Sequence, residues 1–270
     1  MAKPKLADLP AERAARRLHE AHSRRERFAP LPSELAPRTS EEAYAIQDCY
    51  VALRAEERGA IAGYKIALSS PEMQRFVGVD RPQAGVMLAG TLHRTPARVR
   101  AADYVNLIVE FEIAVEMAAD LPAADAPYTA KGIAPFVHAV MPAIELADDR
   151  NADYRELAKH PLELIADNGW NEGAVLGMPI ENWHGLDLAA VRGVATINGK
   201  VVGEGLGGAA MGHPLTALAW VANHLAAHGR GLVYRDIVIT GSMITTKTVR
   251  AGELVCFKVA ELGDVELRVD

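Results

Sequence analysis

The stretch Val105-Asn-Leu-Ile-Val-Glu-Phe-Glu-Ile-Ala-Val-Glu-Met117 decides the fold class. Every odd position is apolar, a period-two alternation that turns one face to a core and predicts a strand. Outward from it, Ile61–Leu68 is a short apolar run that reads as a buried strand, and Met141–Leu146 as another. Val194–Val202 carries Asn198-Gly199 at its centre, the turn pair that favours a tight hairpin. Further strands are expected near Asp236–Thr240, Leu254–Ala260 and Val265–Val269. Helical patterns flank this β body. One runs from Pro10 to Ser23 with Asp8 as cap, its stripe of Ala14, Leu18 and Ala21 set among charges, and is expected on the surface. Phe28–Pro37 holds three prolines and reads as an extended linker. Thr39 and Glu42 form a capping box opening a helix that turns Ala43, Ile46, Tyr50 and Leu53 inward and stops near Gly59. Ser70 caps a short helix with Pro71 at its first position, and Pro214–Ala227 forms a late helix closed near Gly229. Helices first, then a mostly β body, indicates α+β rather than a doubly wound sheet.

The composition fits a globular chain of 270 residues, 50% hydrophobic and 24% charged. A net charge of −6 with a pI near 5.9 lacks the basic face of a nucleic-acid binder. No apolar run is long enough to span a membrane. The N-terminal arginines alternate with Glu12, Glu20 and Glu26, unlike a transit peptide, so a cytoplasmic protein is expected. Two cysteines, Cys49 and Cys256, read as small apolar fillers in a reducing compartment.

Among chemistry-bearing residues, Glu110 and Glu112 share one strand face, where they are either a solvated row continued by Glu116 or half of a divalent-cation site. Glu145, directly after an apolar run, is either a strand-end surface acid or a third oxygen ligand. Lys65 sits mid-strand, where it either snorkels to water or is desolvated into an acid or base usable near neutrality, its pKa lowered. Gly203-Glu-Gly-Leu-Gly-Gly208 lacks the spacing of a nucleotide loop and reads as a flexible strand-to-helix connection. His19-x-x-His22 lies on the charged first helix without an acidic or thiol partner nearby in sequence, which argues against metal ligation.

Gly63-Tyr-Lys-Ile-Ala-Leu-Ser-Ser70, Glu110-Phe-Glu-Ile-Ala114, Pro142-Ala-Ile-Glu-Leu-Ala-Asp148, Ala166-Asp-Asn168, Gly212-His-Pro-Leu215 and Val238-Ile-Thr-Gly-Ser242 follow one another in an order that resembles a known group. It is the 2-keto-4-pentenoate hydratase and 4-oxalocrotonate decarboxylase branch of the fumarylacetoacetate hydrolase superfamily. The resemblance runs from about Thr39 to the C-terminus. It implies a mixed β-sandwich roll core with an N-terminal helical portion, divided as residues 1–95 packed on a metal-binding catalytic roll of 96–270. It also implies a Mg²⁺ or Mn²⁺ site on Glu110, Glu112 and Glu145, and Lys65 as the acid/base. The implied activity is lyase chemistry on 2-hydroxydienoate or 2-oxo-enoate acids in aromatic catabolism, foremost a hydratase. A decarboxylase, an acylpyruvate-type C–C hydrolase with His213 or His93 as base, and a non-catalytic partner subunit are the alternatives. A homo-oligomer and a hydratase–decarboxylase complex are implied on the same ground. Hydratases of the branch carry Asp, and decarboxylases an apolar residue, where this chain has Gln83, which is expected to orient a water or a substrate carboxylate. The Ser242-Met-Ile-Thr-Thr-Lys247 segment differs from the proline-containing version of the hydratases. Ser242 is expected at the substrate. Lys247 is either a contact for a substrate carboxylate or an exposed loop lysine.

Overall fold

The computed structural model describes residues 9–270. In chain order its elements are α1 (Pro10–Ser23), α2 (Ser40–Arg58), β1 (Ile61–Ala67), α3 (Pro71–Val77), β2 (Gln83–Leu88), β3 (Leu92–Arg94), β4 (Ala97–Val99), β5 (Leu107–Met117), α4 (Ala130–Ile133) and β6 (Val137–Asp148). There follow α5 (Tyr154–Leu157), α6 (Pro161–Ala166), β7 (Asn171–Leu176), β8 (Arg192–Ile197), β9 (Lys200–Leu206), α7 (Pro214–Ala227), β10 (Ile237–Ile239), β11 (Ile244–Thr248), β12 (Leu254–Val259) and β13 (Gly263–Val269). One sheet runs β2-β1-β10-β5-β6-β7-β3 with β11 added on β5, and a second runs β4-β13-β12-β8-β9. This is the expected mixed α+β roll. The expected division at residue 95 falls inside the first sheet, because β1, β2 and β3 lie in it beside β5, β6 and β7.

The odd positions of β5 bury Val109, Phe111, Ile113, Val115 and Met117 in the main core with Phe257 and Val255 of the second sheet. The even face is covered too, and this differs from a solvated row: Ile108, Glu112, Ala114 and Glu116 are all buried. There Ala114, Ala139, Met141 and Ala143 pack in a separate apolar cluster. Burial of both faces makes the central strands costly places for acids, which must then be paired or bound.

Several expectations are corrected. The glycine run does not form a flexible connection: β9 continues to Leu206, and Gly203 and Gly205 leave no room for a Cβ against Ile244 and Met243. Lys247 is not the loop lysine of the second alternative: it lies on β11, paired with β5 from Phe111 to Ile108, and the Thr-Thr-Lys-Thr sequence hides the strand because it lacks apolar alternation. Cys49 and Cys256 are unpaired and partly buried, and Cys49 packs against the cluster of Leu18, Ile46 and Tyr50 as the filler expected of it. The capping box is half built, since Thr39 accepts from Glu42 N (3.2 Å) while the Glu42 carboxylate turns to Arg38. The expected cap Asp8 lies outside the described residues, and Leu9 occupies the cap position. Asn198 and Gly199 turn the β8–β9 hairpin with φ of 50° and 76°, as expected of that pair. No helix among the described residues is long and apolar enough to cross a membrane.

Candidate metal centre and its cavity

The β5–β6 register sets Glu110 directly opposite Glu145, and Glu112 follows two residues along the same face. The three carboxylates each present an oxygen within 4.8 Å of the others, in a position able to hold a metal ion. Each is braced by a different element. Thr246 Oγ1 of β11 donates to Glu110 Oε1 (2.7 Å), the Gly241 N–H donates to Glu112 Oε2 (2.6 Å), and Asn171 Nδ2 of β7 donates to Glu145 Oε1 (2.9 Å). Glu112 and Glu145 are wholly enclosed, at 0% exposure. Their remaining oxygens, Glu112 Oε1 and Glu145 Oε2, have no hydrogen-bond partner among the described residues. Burial, then repulsion from Glu145 and Glu110, pushes Glu112 well above the usual carboxylate range; burial also raises Glu145, against the pull of Lys65. Two orphaned, buried, mutually repelling acids fit a hard divalent cation, which would supply the missing partner and the compensating charge.

Lys65 arrives from β1, 3% exposed, with Nζ 3.1 Å from Glu145 Oε1. It does not snorkel. Its stem lies over Gly85, where a Cβ would come within 2.9 Å of Lys65 Cγ, and its tip lies near Gly169. The expected lowering of its pKa is not found: burial opposes the charge, but Glu145, Glu110 and Glu112 override it and raise the group. A cation on the three acids would offset that pull and leave burial, which favours the neutral amine.

Of the triad Glu110 lines a cavity of about 360 Å³, together with Lys65, Leu68, Tyr154, Trp170 and Ser242. Ser242 lines it, yet both its hydrogen bonds go to backbone, accepting from Phe111 N and donating to Ile244 O, so it shapes the β5–β11 junction. Gln83 is not brought to the cavity; it is buried, with Nε2 3.5 Å from Pro161 O. Lys247 stands outside the lining and donates to Oγ1 of the lining residue Thr245 (2.8 Å). No histidine is among the described lining residues: His213 accepts from Leu215 N as the cap of α7, and His93 is on β3. Sequence reasoning missed Asn171, Thr246 and Gly241, because each meets its carboxylate only across strands. It also missed the run Asn168, Gly169 and Trp170, all left-handed (φ 53°, 58°, 59°), though Ala166-Asp-Asn168 marked the place. Asn168 pins that turn by bonding both N and O of Val86.

The first helix is tied to the same turn, which corrects the reading of His22. Its side chain is 8% exposed, with Nε2 2.6 Å from Asp167 and Nδ1 3.3 Å from Glu172. Arg150 also meets Asp167 and Arg54 meets Glu172, each at 2.6 Å. Burial opposes the His22 charge, but Asp167 and Glu172 push its pKa up to about 9. A folded pKa above the unfolded one gives stability that is complete below about pH 6.5 and is lost as pH rises through 9. Urea denaturation should therefore show stability falling by about 3 kcal/mol across that window. His22→Gln should flatten this slope; an unchanged slope would place its cause elsewhere.

The Fumarylacetoacetate (FAA) hydrolase C-terminal family model matches residues 47–270. A 2-keto-4-pentenoate hydratase of Paraburkholderia phymatum is 33% identical over 254 residues, covering 94% of this chain and 95% of the relative. A 4-oxalocrotonate decarboxylase of Pseudomonas putida is 28% identical over 221 residues, 80% of each chain. In solved structures, 4-oxalocrotonate decarboxylase from Pseudomonas putida G7, complexed with magnesium and adipate, superposes with a TM-score of 0.88 at 24% identity, covering 99% of this chain and 100% of that one. The shared architecture and the match from Gln47 to the C-terminus lead to one conclusion: the chain belongs to the fumarylacetoacetate hydrolase C-terminal family.

Proposed function

We propose that this protein is a divalent-metal-dependent hydratase of 2-hydroxydienoate acids and their 2-oxo-enoate forms, adding water to give a 4-hydroxy-2-oxo acid. The observation that carries the reading is the juxtaposition of three carboxylates, two with orphaned buried oxygens, with an enclosed lysine, Glu110 and Lys65 lining one cavity. The relative of 33% identity named as a 2-keto-4-pentenoate hydratase supports it. Glu110, Glu112 and Glu145 would hold Mg²⁺ or Mn²⁺, an all-oxygen set suited to hard cations. When bound, the cation acts as a Lewis acid toward the oxygens of a 2-oxo acid head.

The chain's own groups do the rest. Asn171, Gly241 and Thr246 fix the carboxylates before substrate arrives. Lys65 Nζ moves the proton between the C2 hydroxyl and C5, giving an unsaturated ketone; water then adds at C4 and its proton goes to C3. Trp170, Ile108 and Leu68 keep bulk water from that lysine. The residues lining the cavity offer no histidine base of the kind a C–C hydrolase reading needs, which supports hydration over it. A homo-oligomer, a complex with a decarboxylase and a cytoplasmic location belong to the same proposal, on the family resemblance.

The test is NMR of Mg²⁺-loaded protein with freshly generated 2-hydroxypenta-2,4-dienoate in D₂O. Appearance of 4-hydroxy-2-oxopentanoate is expected. Deuterium incorporation without hydration would overturn the hydratase in favour of a decarboxylase.

A further inference from the structure

The register that builds the triad also fixes what lies beside it. On the face where Glu110 opposes Glu145, the next pair along β5 and β6 is Ile108 opposite Ala147, about 7 Å further at two residues per step. Beyond that pair the apolar part of the cavity wall is Leu157 of α5, Leu164 of α6, Trp170 and Leu68, which with Ile108 and Ala147 form one cluster. An acid whose head sits at the carboxylates therefore lays its tail on hydrocarbon.

Charge is distributed in the same sense. Among the described residues lining the cavity Lys65 is the one cation, and it is engaged with Glu145 at the head end. Lys247 also belongs to the head end: β11 pairs Lys247 with Val109, and its neighbour Thr246 holds Glu110. At the tail end the ionisable groups are Glu72, an anion on α3, and Tyr154, whose hydroxyl donates to Asp149 (3.1 Å). Trp170 Nε1 has no partner among the described residues, but it is a single neutral donor, too weak to offset the desolvation of a carboxylate.

Resting on the proposed hydratase reading, we infer that the substrate is a monocarboxylic 2-hydroxydienoate bearing an alkyl or aryl group at its distal end, and that the dicarboxylic homologue is excluded. Ile108, Leu157, Leu164 and Trp170 are the specificity-determining residues. A dicarboxylic substrate would bring its second carboxylate against this wall with no cation to meet it, whereas each methylene of an alkyl tail is removed from water.

Calorimetric titration of the Mg²⁺-loaded protein with saturated 2-oxo acids tests this without turnover. From 2-oxohexanoate to 2-oxooctanoate, affinity should rise about fourfold per methylene. 2-Oxoheptanedioate should bind at least about tenfold more weakly than 2-oxoheptanoate. Met73 lines the mouth from α3 and is 40% exposed, so it tolerates a charge; Met73→Arg should raise diacid affinity about tenfold relative to the monoacid. A diacid that binds wild type as tightly as the monoacid, an absence of binding by both, or an unchanged ratio in Met73→Arg would each overturn the inference. Alkyl preference in binding together with no hydration of a 5-alkyl dienoate would sustain the pocket assignment and sink the hydratase reading instead.

Discussion

Lys65→Met should lower kcat for dienoate turnover by about two to four orders of magnitude, the range removed with a positioned acid/base. KM should change little, because Lys65 is turned to Glu145 at the cavity floor and the apolar wall that holds the tail is untouched. Mg²⁺ affinity should hold or tighten, since the substitution removes a competing cation from the triad. Methionine matches the buried stem of the lysine between Gly85 and Gly169, so the thermal midpoint serves as a check on folding. Lys65→Arg should not restore activity, because a guanidinium does not release a proton near neutrality. A Lys65→Met enzyme within fivefold of wild-type kcat would remove the lysine from the proton-transfer step.

Glu112→Gln should weaken Mg²⁺ binding by about a hundredfold or more, exceeding the loss from altering a group behind a ligand. The variant keeps its shape: a glutamine oxygen can still accept from the Gly241 N–H, while one of three crowded negative charges is gone. Two melting experiments separate this from general damage. In the absence of metal the variant should melt above wild type, because burial with Glu145 and Glu110 nearby disfavours the Glu112 charge. On adding Mg²⁺ the wild type should gain, by about 3 kcal/mol when the ion is a hundredfold above its dissociation constant, and the variant should not. Mg²⁺ that stabilises both proteins equally would show that the ion binds elsewhere. The same raised Glu112 makes binding weaker as pH falls, since the proton and the ion compete for one oxygen.

How much was legible depended on the range over which each signal acts. The strand from Val105 to Met117 announced itself because alternation is local, and the structure starts it at Leu107 only because the preceding residues bend to bond Asp148. The helix Pro214–Ala227, the Asn198-Gly199 hairpin and the Ser70 cap were readable for the same reason. β11 was not, because Thr245, Thr246 and Lys247 become a strand only by pairing with β5. His22 was misread because its partners Asp167 and Glu172 are more than a hundred residues away in the chain and adjacent only after α1 packs on α2 and Ala166.

The sequence by itself determined the secondary structure of the central strands, the α+β class and the identity of the acids and the lysine, because these follow from local alternation and from residue chemistry. Tertiary structure alone decided that Glu110 and Glu145 face each other, that Glu112 and Glu145 are wholly enclosed, and that the acids around Lys65 raise its pKa where burial by itself would lower it. It likewise decided that Ser242 serves the backbone and that Gln83 lies outside the cavity lining. Register and burial are relations between strands distant in sequence, and the energy of a buried charge depends on every neighbour that folding brings to it.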